Sequence, residues 1–98
     1  MVIVWGSVIA AEGCLEELVA LSLEHVRRSR QEDGCLAHGV HADAETPTRL
    51  VFFEKWADES ALRQHFAVPE SRAFVRRASE LSVGAPIIEI FRTEPIDL

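Results

Sequence analysis

The 98-residue sequence contains no asparagine, no tyrosine and no long apolar run. No stretch approaches the roughly 20 apolar residues that a membrane-spanning helix requires. The apolar start, Met1–Gly6, lacks the basic region and the small-residue cleavage site of a secretory signal. We therefore expect a cytoplasmic protein that does not associate with membranes.

Basic residues are also scarce. The chain has 10 Lys and Arg against 16 Asp and Glu, for a formal net charge of −6. Binding to nucleic acid requires concentrated positive charge. The two basic clusters, Arg27–Arg30 and Arg76–Arg77, have acidic neighbours and are typical of solvated helix faces. The composition therefore predicts no nucleic-acid partner.

Cysteine is limited to Cys14 and Cys35, without the Cys-x-x-Cys spacing of a zinc site or redox pair. A disulfide is not expected in a reducing compartment. Cys14 lies near a predicted helix start, where a thiolate is favoured, but a thiol nucleophile is the weaker interpretation. His38 and His41 are expected on opposite faces of one strand and so cannot readily chelate one ion. No metal site is predicted.

Apolar residues make up 48% of the chain, and their spacing predicts strands alternating with helices. The predicted elements are a strand over 2–10, a helix from 12 to about 32, a strand over 35–43, a strand from 50, a helix after 58, a helix from 69 to about 81 and a strand over 87–93. Gly84–Pro86 is expected to end the last helix. The order β-α-β-β-α-β predicts a ferredoxin-like α+β fold, a four-stranded antiparallel sheet with helices on one face. Residues 1–98 are predicted to form a single domain.

The first strand is apolar on both of its faces, which indicates burial from both sides. In a domain of this size, helices can cover only one face of the sheet. The other face must then contact something else, most simply a second copy of the chain. We predict a homodimer formed through the sheet faces.

The segment 50–65 contains the side chains that most strongly suggest chemistry. Alternation along its strand places Leu50, Phe52, Glu54 and Trp56 on one face. Asp58 can cap the next helix, and helical spacing places His65 on its apolar side. We expect a pocket at this corner between strand and helix.

The strand over 35–43 is predicted to place Leu36, His38 and Val40 on one face, with Cys35 on the other. His38 would then have apolar neighbours on its own face. His25 flanks the apolar stripe of the first helix, and we interpret it as a packing residue.

These residues resemble the antibiotic biosynthesis monooxygenase family of dimeric α+β barrels. The matching positions are Gly13, Ser29-Arg30, Glu32–Leu36, Glu54–Trp56, Asp58, Ala61, His65, Pro69 and Phe74. The resemblance covers nearly the whole chain, and the run from Glu54 to His65 is its most specific part. It implies a homodimer with facing sheets and one pocket in each subunit, between the sheet and the helices.

The resemblance implies several activities, because such proteins include oxygenases that need neither metal nor flavin, haem-degrading enzymes and isomerases of phosphorylated diones. Anthrone oxygenases of this kind use Asn, Trp and Tyr together, and this chain has no Asn and no Tyr. Gly6, His65 and about Val75 stand where haem degradation would need other residues, so haem is not expected. His65 and Trp56 remain, as in the quinol-oxygenase and isomerase branches.

The resemblance therefore implies a cofactor-independent monooxygenase acting on a small quinol-like or polyketide aromatic. His65 is the predicted base, because an imidazole titrates near neutral pH. Trp56 would stack on the substrate or donate a hydrogen bond, and Glu54 would orient a histidine or act as a second acid–base group. The predicted substrate-binding residues are His38, Phe52, Leu50 and Trp5.

A second interpretation is a non-catalytic or isomerase-like dimer that binds a small aromatic or carbonyl metabolite. Each candidate side chain also has a structural alternative. Glu54 could pair with an arginine, Trp56 could belong to the core, and His65 could bond a backbone carbonyl.

Overall fold

A computed structural model describes residues 1–98 as a four-stranded sheet with three helices packed on one face. The elements are β1 (Val2–Ala10), α1 (Leu15–Ser29), β2 (Cys35–Ala42), β3 (Arg49–Trp56), α2 (Glu59–Ala67), α3 (Pro69–Glu80) and β4 (Ser82–Arg92). The strands are antiparallel in the order β2-β3-β1-β4. This arrangement confirms the predicted ferredoxin-like fold. None of the helices is both long and apolar enough to cross a bilayer.

The helix-covered face of the sheet contains two apolar clusters. The larger cluster joins α1, β3, α3 and the end of β1, and includes Leu18, Leu50, Phe52 and Leu81. The smaller one is built from Val2, Val4, Trp56, Ala61 and Leu62. On β3, Glu54 lies between Phe52 of one cluster and Trp56 of the other. A carboxylate therefore separates the two halves of the core.

The turns around α1 and α2 follow local sequence signals. Asp58 accepts a hydrogen bond from the Ala61 backbone N–H at 2.8 Å, which confirms the predicted cap of α2. Helix α1 ends at Ser29, three residues before the predicted end, because residues 31 and 32 form turn hydrogen bonds to the carbonyls three residues earlier. Gly34 lies beyond that turn with φ +81°.

The last strand begins five residues earlier than predicted. Gly84–Pro86 does not end α3 but forms an irregular part of β4, opposite a register shift between Ser7 and Ile9 of β1. Gly84 has φ +70°, and proline lacks the N–H that a regular ladder needs. The glycine and proline that were expected to form a turn after α3 therefore form a bulge within β4.

A second bulge corrects the predicted faces of β2. Cys35 pairs with Trp56 and Ala37 with Lys55, so the register shifts at Leu36. Leu36 is 58% exposed instead of sharing a buried face with His38. Cys35 instead packs against the cluster that contains Trp56. The extra residue in the strand moves the alternation by one position.

Candidate functional site

The site is organised around the carboxylate of Glu54. Residues two apart on a strand share a face, and the Trp56 side chain uses this spacing to donate from Nε1 to Glu54 Oε1 at 2.9 Å. Glu54 is only 8% exposed, and Trp56 is fully buried. The indole therefore belongs to the core and also fixes the orientation of the carboxylate.

Two imidazoles face the same carboxylate oxygen. His38 lies directly across from Glu54 in the β2–β3 ladder, and its Nε2 is 3.4 Å from Glu54 Oε1. His65, on the buried side of α2, has its Nε2 3.9 Å from that oxygen. Its Nδ1 is 2.9 Å from Glu32 Oε1, in the turn after α1. Glu54, Trp56, His65 and His38 thus form one contact group; the sequence predicted a common corner for the first three and left the face of His38 open.

His25 of α1 completes the group. The sequence pattern indicated a packing residue at this position, so His25 was not among the predicted site residues. Its ring stacks on Phe74 with centroids 4.0 Å apart, and it lies 5.3 Å from the His38 ring and 5.4 Å from the His65 ring. The signal was present in the sequence: His25 follows Ser22 by three residues, so it lies on the inner stripe of α1. Only the packing of α1 against the sheet shows what that stripe meets.

The charges around these rings are unequal. Arg28 donates to His25 Nδ1 at 2.9 Å and to Glu32 Oε2 at 2.9 Å. Burial, followed by repulsion from the other two histidines and Arg28, lowers the pKa of His25 to about 3. Burial alone would raise the pKa of Glu54, but His38, the Trp56 N–H and His65 together hold it below its ordinary value. Glu54 is therefore ionised and His25 is neutral at pH 7.

His38 has no hydrogen-bond partner on either ring nitrogen, although its side chain is completely buried. The 3.4 Å approach of His38 Nε2 to Glu54 lacks hydrogen-bond geometry and is an electrostatic contact. Buried polar groups without partners are uncommon in folded proteins. Nitrogen atoms of His25, His38 and His65 lie within 4.8 Å of one another, which is a spacing that could accommodate a metal ion.

A mainly apolar cavity of about 250 Å³ lies between the sheet and α3, and Glu54 is the only ionisable residue that lines it. Phe52 also lines it, whereas Trp56, His65 and His38 lie behind Glu54 and do not. The pocket predicted at the corner between β3 and α2 is therefore displaced toward β1, β4 and α3.

The remaining predicted residues lie elsewhere. Leu50 is buried in the larger core cluster and does not line the cavity. Trp5 projects from the opposite, helix-free face of the sheet and is 36% exposed. His41 is exposed and shares that face, as predicted. Cys14 and Cys35 are free thiols, and burial, followed by Glu32 and Glu54, raises the pKa of Cys35, which opposes thiolate chemistry.

Comparison with known proteins places this architecture in a family. Residues 1–77 match the sequence profile of the antibiotic biosynthesis monooxygenases. The Synechocystis protein sll1783 is 30% identical over 91 residues, 93% of this chain, and the chain spans 62% of that protein's length. YcnE of Bacillus subtilis, a candidate monooxygenase, is 30% identical over 81% of both chains.

Solved structures agree with the sequence matches. A candidate antibiotic biosynthesis monooxygenase of Deinococcus radiodurans superposes with a TM-score of 0.94 at 28% identity, covering 100% of this chain and 98% of that one. PA3566 of Pseudomonas aeruginosa superposes with a TM-score of 0.84 at 26% identity, covering 96% and 94%. The chain therefore belongs to the antibiotic biosynthesis monooxygenase family, as its residues predicted.

Proposed function

We propose that this protein is a cofactor-independent monooxygenase that oxidises a small quinol-like aromatic in the cavity beside Glu54. One observation supports this most strongly: an ionised, buried carboxylate, oriented by Trp56, is the only ionisable group on the wall of an apolar cavity. Such a cavity favours a substrate with an apolar ring, and the carboxylate can take a proton from that substrate. Membership of a family named for monooxygenases is consistent with this assignment.

The size of the cavity favours a small substrate. A cavity of about 150 Å³ is enough to bind benzene, so about 250 Å³ leaves room for one substituted ring and a dioxygen molecule. A polycyclic polyketide would fill or exceed that space. Phe52 provides an aromatic contact on the wall, and edge-to-face or offset packing there would hold a planar ring.

In the proposed reaction, Glu54 accepts a proton from the substrate, leaving an electron-rich anion. Dioxygen adds to the activated ring carbon, and the resulting peroxide anion takes the proton back from Glu54. Loss of water, which includes the hydrogen of that carbon, then forms the carbon–oxygen double bond. The substrate supplies all four electrons that reduce dioxygen: one oxygen atom enters the product and the other leaves as water. The apolar wall limits the contact of solvent with the anion.

His65 and His38 would act behind the carboxylate. Their Nε2 atoms lie 3.9 and 3.4 Å from Glu54 Oε1, which is close enough for a small movement to permit proton transfer. An imidazole beside Glu54 can receive the proton from the carboxyl group and return it. Trp56 holds Glu54 in position and keeps it ionised. The base that was predicted to touch the substrate thus acts through Glu54.

The helix-free face of the sheet supports a homodimer as part of the same proposal. Trp5, Ile9, Phe53, Ile87 and Phe91 are large apolar residues of this face, and each is at least 36% exposed. A contiguous apolar surface of this kind favours a partner. Light scattering should give twice the chain mass, and Phe53→Glu should shift it to that of a single chain. A monomeric wild type would contradict the dimer.

Oxygen consumption provides the direct test of function. Simple quinols are supplied to the protein in the presence of a chelator, and oxygen uptake is recorded for the wild type, Glu54→Gln and His65→Ala. Glu16→Gln, a change at an exposed glutamate of α1, is the matched control. We expect Glu54→Gln to reduce the rate by about 100-fold or more. Oxygen uptake that is unchanged in Glu54→Gln would remove the carboxylate from the reaction.

The alternative is an isomerase-like protein, favoured by the same group of one carboxylate and two imidazoles. Such a group can move a proton between two carbon atoms without oxygen. In deuterated water, this activity would exchange substrate hydrogens in the absence of oxygen uptake. Hydrogen exchange without oxygen uptake, if it is lost in Glu54→Gln, would identify the protein as an isomerase and not an oxygenase.

A further inference from the structure

Three potential metal-binding atoms converge inside the core. Nε2 of His38 and Nε2 of His65 both face Glu54 Oε1, at 3.4 and 3.9 Å. Each residue comes from a different element, β2, α2 or β3, and the side chains of all three are at most 10% exposed. Two imidazole nitrogens and one carboxylate oxygen form a donor set that several divalent transition metals accept.

The outer contacts of these ligands suit metal binding. A metal-bound histidine usually gives its other ring N–H to a carboxylate, and His65 Nδ1 lies 2.9 Å from Glu32 Oε1. A neutral His65 that gives its Nδ1 proton to Glu32 would present its Nε2 lone pair on the side of Glu54, where an ion could bind. Trp56 in turn fixes the carboxylate by its hydrogen bond to Oε1. Two of the three donors are therefore already oriented.

His38 is the third donor, and nothing in the chain satisfies it. Its side chain has no exposed surface and no hydrogen bond on either nitrogen. Two carboxylates, Glu32 and Glu54, face the imidazoles, whereas Arg28 is the single cation in contact with them. An unpartnered buried nitrogen beside an ionised carboxylate is an environment that a bound cation would stabilise.

We propose that His38, His65 and Glu54 form a binding site for a divalent transition-metal ion. Ligands about 2.1 Å from a metal are roughly 3.0–3.4 Å from one another, so the pair Glu54–His38 already fits at 3.4 Å. The His65 nitrogen must approach Glu54 by about 0.5 Å from its present 3.9 Å. The Nδ1 atom of His25 accepts from Arg28 and is therefore not available to the ion. Glu54 is also the ligand that lines the cavity.

This inference goes beyond the proposed oxygenation and does not depend on it. A metal on Glu54 Oε1 would occupy the lone pair that the proposed reaction uses as a base. Metal-loaded and metal-free chains would thus be alternative states of one cluster. We expect added Zn²⁺ to inhibit any oxygen uptake that the chelator-treated protein shows. It also departs from the sequence expectation of no metal site, which rested on the two cysteines and on the pair His38 and His41.

Calorimetric titration of chelator-treated protein with Zn²⁺, in the absence of substrate, tests the site directly. We expect one ion per chain, with binding weakened about 100-fold or more by His38→Gln or Glu54→Gln. His41→Gln is the matched control, because His41 lies on the same strand but on the exposed, opposite face. Glutamine approximates the size of histidine, and circular dichroism checks that each variant is folded.

Cobalt supplies a second readout, since the visible spectrum of Co²⁺ reports its coordination by protein nitrogen and oxygen. The spectrum should be present in the wild type and His41→Gln and absent in His38→Gln. Absence of stoichiometric binding, or full binding in folded His38→Gln and Glu54→Gln, would overturn the proposal. Loss of binding in Cys35→Ser alone would also overturn it, by assigning the ion to the thiol. Because no substrate is used, these outcomes are independent of the oxygenase test.

Discussion

Acid should destabilise this fold through His25. Burial, followed by repulsion from His38, His65 and Arg28, lowers the pKa of His25 to about 3 in the folded chain, against about 6.5 in an unfolded chain. Between these values the unfolded chain binds a proton that the folded chain does not. The free energy of unfolding is therefore at its full value above about pH 6.5 and falls as the pH is lowered toward 3.

The size of the effect can be worked out at pH 5. That pH lies about 1.5 units below the unfolded pKa, and each unit corresponds to about 1.4 kcal/mol, so His25 should cost about 2 kcal/mol there. At pH 5 the folded ring is neutral, because its pKa of about 3 lies well below that pH. The loss of stability at pH 5 therefore depends on the pKa of His25 in the unfolded chain, which is that of an ordinary imidazole.

His25→Phe isolates this contribution, because a phenyl ring can keep the stack on Phe74 but does not titrate. Arg28 loses one acceptor, which should lower stability by about 1 kcal/mol at every pH. Urea unfolding is compared at pH 7.5 and 5, at one chain concentration, with His41→Gln as control. Wild type and control should lose about 2 kcal/mol more than His25→Phe. Parallel losses in all three proteins would refute the reasoning.

Three further substitutions test packing, backbone conformation and capping by thermal or urea unfolding. Trp56→Phe removes the N–H that holds buried Glu54 and should cost about 1–3 kcal/mol while raising the pKa of that carboxyl. Gly34→Ala should cost at least about 2 kcal/mol, because a Cβ there would lie 2.5 Å from Ala61 Cβ at a φ of +81°. Asp58→Ala removes the cap of α2 and should cost about 1 kcal/mol.

Matched variants control for these changes. Trp5→Phe alters an indole on the opposite face of the sheet and should leave the pKa of Glu54 unchanged. Gly84→Ala adds a Cβ at a φ of +70° with no atom within 4 Å, so it should cost only about 1 kcal/mol. Equal losses for Gly34→Ala and Gly84→Ala would contradict the clash with Ala61. Asp58→Asn should retain the cap and remain close to wild type.

Much of the fold could be predicted because its signals are local. Alternation along 50–56 placed Leu50, Phe52, Glu54 and Trp56 on one buried face, as observed. The cap at Asp58 was also readable, since it depends on a side chain and a backbone group three residues apart. The two bulges were not readable, because a bulge is defined by the partner strand as well as by its own residues.

The sequence by itself determined the order of the elements, the faces of β3 and the family, because periodicity, turn chemistry and short motifs are properties of neighbouring residues. It also supplied Glu54, Trp56, His65 and His38 as candidates. Tertiary structure alone decided that His25 joins them, that Glu54 rather than His65 reaches the cavity, and that His38 has no partner. Those outcomes depend on how α1, α2 and β2 pack against β3, and distances across elements are set by the folded core.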